Sequence, residues 1–151
     1  MILGKEILRK FNHSGADAMS IILYNSIDYS NLKRLLMVIG EDILKEKIEI
    51  LQTLGDLSRG LHKSERVNDI AVLFIGDMME FYNIFAMKRT LSDMRLILVL
   101  PNRSTEMISG AHRLHPRFIS YIDSDFKDVA DVLRRLIKLA EKNSYMTKEI
   151  Y

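Results

Sequence analysis

The chain has 151 residues, 48% of them hydrophobic and 28% charged, which fits one domain with a real core and excludes a disordered or low-complexity protein. Its 22 lysines and arginines stand against 20 acidic residues, and a net charge of +2 creates no broad field for nucleic acid or an anionic membrane. The absence of cysteine removes disulfides, thiolate metal sites and cysteine nucleophiles.

Residues 1–18 read as an N-terminal extension, a short amphipathic helix with Leu3, Ile7, Leu8 and Phe11 on one face. Such a helix is marginal alone, so docking on its own domain or on a partner is expected. The charges in MILGKEILRKF break the continuous apolar stretch a signal peptide needs, and no apolar run reaches the roughly 18 residues of a membrane span. A cytoplasmic protein without membrane contact follows as the expectation.

From residue 19 to residue 142, five short β-rich runs alternate with segments of helical period, the pattern of repeated βα units around a mostly parallel sheet. The first run, SIILYNS from Ser20, precedes a helix with Leu32, Leu35, Leu36, Ile39 and Ile43 on one stripe, capped by Asp28 or Ser30. The second, KIEIL from Lys47 to Leu51, alternates polar and apolar residues like an edge strand. One helix from Leu32 to Leu61 is the alternative, against which Gly40, Gly55 and Gly60 each count about 1 kcal/mol relative to alanine.

DIAVLFIG, Asp69 to Gly76, is the near-continuous apolar run of a central strand covered on both faces. Asp77 then starts a helix with Glu80 at capping-box spacing, carrying Phe81, Ile84, Phe85 and Lys88 and ending at Ser92 and Asp93. Met94 to Pro101 is the fourth strand, followed by a helix from about Ser104 to Leu114 that stops before Pro116. Arg117 to Ile122 is the fifth. The last helix begins near Ser124 or Asp125 and buries Phe126, Val129, Val132, Leu133, Leu136, Ile137 and Ala140, leaving residues 143–151 as a tail.

Five βα units of this size, with DIAVLFIGDMM around the third strand and GAHRLHPRFISYIDSDF around the fifth, resemble the receiver domain of bacterial two-component response regulators over about Ser20 to Lys142. Gly110 and Ala111 match the family's Gly-Ala pair, and Phe126 matches its phenylalanine at a longer spacing. The resemblance implies a three-layer α/β/α, flavodoxin-like fold with a five-stranded parallel sheet of order 2-1-3-4-5. It also implies use in signal transduction, with the last helices and fifth strand as a surface for a protein partner or a homodimer.

A receiver of that family takes up a phosphoryl group with an acidic pair after the first strand, an aspartate ending the third, a hydroxyl residue ending the fourth and a lysine after the fifth. Here the first position offers Asn25 and Ser26, with Asp28 further along. The third offers Phe74 to Gly76, with Asp77 late; the fourth ends at Leu100 and Pro101, the fifth at Asp123 and Ser124. All four depart, so the expectation is a pseudo-receiver: a non-catalytic interaction domain with a degenerate phosphorylation pocket, no metal and no cofactor.

The resemblance places its interaction surface at Tyr121, near the family's aromatic switch position, and on the basic strip Arg134, Arg135 and Lys138 of the last helix. That strip lacks the interleaved aromatics of a nucleic-acid reader. The competing function is a small-molecule or metal-binding sensor, or an enzyme, using Asp28, Asp77, Asp123, Ser26 and Ser104 at the carboxyl edge. His112 and His115 lack further metal ligands nearby, the NSIDYSN turn lacks the glycines of a nucleotide loop, and Met78, Met79 and Met87 read as core filler.

Overall fold

Successive side chains on a strand point to opposite faces, so a strand apolar throughout feeds two cores. The structure, a computed structural model, describes residues 19–62, 66 and 68–150, with residues 143–150 as backbone only. The amphipathic segment expected at Leu3, Ile7, Leu8 and Phe11 lies outside the described residues.

Strands β1 (Ser20–Asn25), β2 (Lys47–Leu51), β3 (Ile70–Phe74), β4 (Arg95–Leu100) and β5 (Phe118–Tyr121) form one parallel sheet of order β2-β1-β3-β4-β5. Between them run α1 (Tyr29–Val38), α2 (Glu41–Leu44), α3 (Leu54–Leu61), α4 (Met78–Phe85), α5 (Lys88–Leu91) and α6 (Thr105–His112), and α7 (Lys127–Ile150) follows β5. KIEIL is a strand: it pairs with β1 from Ser20 opposite Lys47 to Tyr24 opposite Leu51, and at this edge only Ile48 is buried.

Ile21, Leu23, Ile70, Val72, Phe74, Ile97 and Val99 face α1, α2 and α7, where Leu32, Leu35, Ile43, Leu133 and Ile137 meet them. The alternate residues Ile22, Tyr24, Ala71, Leu73, Leu96, Leu98 and Leu100 face α3 to α6 and pack against Leu57, Leu61, Phe81, Ile84 and Met107. The result is three layers, with β3 buried from end to end. Gly110 lets α6 lie close to the Phe81 ring, since a Cβ there would sit 2.9 Å from its edge.

Helix starts follow the expected capping chemistry. Asp28, Thr53, Asp77 and Ser104 each accept a backbone N–H of the first turn behind them. Three helices differ from the sequence expectation. The stripe from Leu32 to Ile43 is divided: α1 ends at Val38, Ile39 is extended (φ −78°, ψ 142°) and α2 restarts after Gly40. The one after Asp77 ends at Phe85, because Met87 leaves helical geometry (φ −95°, ψ 13°) and its N–H bonds to the Ile84 carbonyl, redirecting the chain so that Leu91 reaches the core.

The last helix starts at Lys127 instead of Ser124 or Asp125, because Phe126 adopts φ 65° and turns its ring inward, fully buried. That left-handed backbone is costly for a residue with a Cβ. It is held by Ser124 Oγ, which accepts the Phe126 N–H at 3.0 Å, and by an edge contact with Phe74 at 5.6 Å between ring centres. Helix α7 runs past Lys142, where the sequence suggested a tail, to Ile150. No described helix is long and apolar enough to cross a membrane.

Candidate functional site at the carboxyl edge of the sheet

Open parallel α/β sheets bind ligands outside the carboxyl ends of their strands, because the strand-to-helix loops gather there. In this chain that edge carries Asn25 to Asp28 after β1, Ile75 to Asp77 after β3, Leu100 to Ser104 after β4 and Ile122 to Asp125 after β5. The sheet brings all of the expected pocket residues to this edge, but their side chains are spent on local structure.

Asn25 is buried, and both ends of its amide shape the β1 to α1 loop: Nδ2 donates to the Asp28 carbonyl at 2.8 Å and Oδ1 accepts the Ile27 N–H at 3.3 Å. Asp28 caps α1, and the N–H of Ser30 at 3.0 Å holds its carboxyl below the usual carboxylate range. Asp77 caps α4, accepting the Glu80 N–H at 2.8 Å. Each aspartate thus spends its Oδ1 on a helix cap.

Glu80 is the residue that sequence reasoning undervalued. Its Oε1 accepts the Gly76 N–H at 2.8 Å, one residue before the Asp77 N–H that a capping-box glutamate would take. Its Oε2 accepts the Tyr24 hydroxyl at 2.9 Å and the Ser26 hydroxyl, both from the end of β1. The carboxylate therefore bridges β1 and β3. Burial of Tyr24, and then its neighbour Glu80, push the phenol above its ordinary value. The signal was Tyr24 itself: a tyrosine inside an apolar strand needs a partner for its hydroxyl.

At the far side of the edge, Leu100 is buried in the sheet and Pro101 follows it. Arg103 forks onto Asp123 at 2.8 and 3.0 Å, and its guanidinium lies 4.1 Å from the centre of the Tyr121 ring. Tyr121 is thus half-buried beneath an arginine that the sequence reading had not singled out. The hydrogen bonds from Arg103 hold the exposed Asp123 carboxyl below the usual range. Ser124 Oγ is turned to the backbone of Phe126 and to Asp128, and Arg34 of α1 reaches the carbonyls of Ile122 and Ser124.

Arg135 and Lys138 are exposed on α7. Arg134 is half-buried and pairs within the chain, to Asp42 at 3.2 Å and Asp131 at 3.1 Å. Met79 is 71% exposed where core filler was expected, whereas Met78 and Met87 are partly buried. His112 and His115 are both exposed at the end of α6. Among the described residues there is no group of three or more metal-ligating side chains. A cavity of about 160 Å³ lies between the β1 loop and the end of β2, lined by Asn25, Ser26, Ile27, Tyr29, Leu32 and Gln52.

No protein-family model and no curated protein matches the sequence. Solved structures do match in shape. A CheY-like response regulator receiver domain protein from Methanospirillum hungatei superposes with a TM-score of 0.65 at 15% identity, over 84% of this chain and 99% of that one. A response regulator from Thermotoga maritima gives 0.62 at 6% identity, over 80% and 98%. An orphan response regulator of H. pylori gives 0.54 at 9%, over 79% and 96%. Strand order, helix placement and these superpositions agree: the chain has the fold of response-regulator receiver domains.

Proposed function

We propose that this chain is a non-catalytic receiver-fold domain that works in signalling by binding protein, either a partner or a second copy of itself, without taking up a phosphoryl group. The observation that supports it is the occupation of the carboxyl edge by internal contacts. Asn25, Asp28 and Asp77 shape loops and cap helices, Glu80 is met by three donors, and Asp123 is forked to Arg103. Magnesium demands several oxygen ligands in near-octahedral geometry, and carboxylates already committed to helix caps and hydroxyls fit it poorly. No step through a metal is derived.

Fold alone does not assign a function, so the reading rests on those side chains. Exposed Arg135 and Lys138 on α7, together with Arg134, and the half-buried Tyr121 of β5 are the residues proposed for partner contact, in a cytoplasmic setting. Nucleic acid is disfavoured by the near-neutral charge. The alternative, a small-molecule or metal-binding sensor or enzyme at the same edge, draws on the cavity beside Asn25. At about 160 Å³ that cavity falls short of the roughly 300 to 1,000 Å³ usual for ligand pockets.

Incubation with acetyl phosphate followed by intact-mass measurement is the decisive experiment, with an unchanged mass expected. A phosphoryl adduct at Asp77 would overturn the reading.

A further inference from the structure

Three hydrogen-bond donors converge on one point of the carboxyl edge: the Tyr24 hydroxyl, the Ser26 hydroxyl and the Gly76 N–H. They come from the ends of two neighbouring strands, and what they meet is a carboxylate, that of Glu80. A capping-box glutamate needs only a backbone N–H. The two hydroxyls from β1 go beyond that role, and one belongs to Tyr24, which is fully buried. Three donors without a cation stabilise a negative oxygen pair by charge-assisted hydrogen bonds.

We propose that Tyr24, Ser26 and Gly76 form a cradle for a small oxyanion of carboxylate geometry, which the chain fills with its own Glu80. The edge is thereby held permanently in its occupied arrangement. This deepens the reading of a domain that needs no phosphoryl group, and rests on it for the consequence that the occupied arrangement is the working one.

The closest available probe is acetate, which carries the same carboxylate without the tether. In Glu80→Ala the cradle is emptied, and a fall in Tm of a few degrees is expected, with sodium acetate restoring at least half of it in a saturable manner. Sodium chloride at equal ionic strength should restore none. Adding Tyr24→Phe to Glu80→Ala should abolish the acetate response.

Glu80→Gln fills the same space with one acceptor where the carboxylate has two, so it should ignore acetate. In Glu80→Leu, which fills that space with no acceptor at all, the Gly76 N–H, which donates to Glu80 in the parent, should exchange with solvent at least tenfold faster. This second readout decides the matter even where Glu80→Ala does not fold. An acetate-independent Tm in a folded Glu80→Ala, or unchanged Gly76 exchange in Glu80→Leu, overturns the cradle. A phosphoryl adduct in the acetyl phosphate experiment with acetate rescue intact would remove the proposed function and leave the cradle standing.

Discussion

Arg66 is 5% exposed and stands at the amino end of the sheet, opposite the candidate site. Its guanidinium donates to Asp69 at 3.0 Å, to Glu49 at 3.3 Å and to the Gly60 carbonyl, while Asp69 in turn accepts the Ser20 N–H at 2.9 Å. One side chain therefore ties the end of α3, β2 and the starts of β1 and β3. Replacing it by methionine keeps bulk but strands two carboxylates and a carbonyl. Because Glu49 and Asp69 retain some solvent, the expected loss is about 2–3 kcal/mol, below the figure for a wholly buried pair, and urea unfolding measures it. Arg66→Lys should recover less than half, since an ammonium cannot fork to three partners.

Asp123 gives a pH prediction of definite sign. Its folded carboxyl titrates below the unfolded value of about 3.9, so over that window the unfolded state binds more protons and stability rises with pH. The contribution is present above the unfolded value and disappears as pH falls through the lowered one. In a carbon-detected NMR titration the Asp123 midpoint should move up to the ordinary range in Arg103→Gln. An unmoved midpoint would mean that Arg103 is not the cause.

At the level of elements, Glu46 lies between α2 and β2, half-buried, with Glu141 of α7 near enough to act on it. Burial first, and then that like charge, raise its carboxyl above the usual range, against a smaller opposing pull from Lys45. The sign is opposite to that of Asp123: the folded state binds more protons, and stability falls as pH climbs from the unfolded value through the raised one. Glu46→Gln should therefore raise Tm at neutral pH and leave it little changed at pH 4. Equal shifts at both pH values would locate the effect in packing instead of charge.

Elements were also where the sequence spoke most clearly. Strands showed as apolar or alternating runs, and the starts after Asp28, Asp77 and Ser104 as capping residues, because caps and pleats are local chemistry. Two of the misplacements, the break at Met87 and the late start of α7, come from tertiary demands: Leu91 must reach the core, and Phe126 must turn inward onto Phe74. The carboxyl edge was expected from the strand ends, and the structure places Asn25, Leu100 and Asp123 there. The contacts made there were not legible in the sequence. Glu80 meets Tyr24 across 56 positions of sequence and Arg103 meets Asp123 across 20, and such pairings are fixed only when the strands lie side by side.

For the whole molecule, the two cores share every strand, and β3 joins them at its centre. Val72 enters the layer of α1 and α7, while the next residue, Leu73, enters the layer of α3 to α6, and neither is exposed at all. Damage to one layer therefore loosens the strand that the other layer stands on. Leu73→Ala should cost about 2–5 kcal/mol, and the loss should appear as one transition moved as a unit. Backbone ellipticity and the near-ultraviolet signal of the tyrosines and phenylalanines report secondary structure and side-chain packing separately, so their melting curves test this directly. Coincident midpoints in both the parent and Leu73→Ala are expected; curves that separate in the variant would show that the layers unfold independently and that the sheet does not couple them.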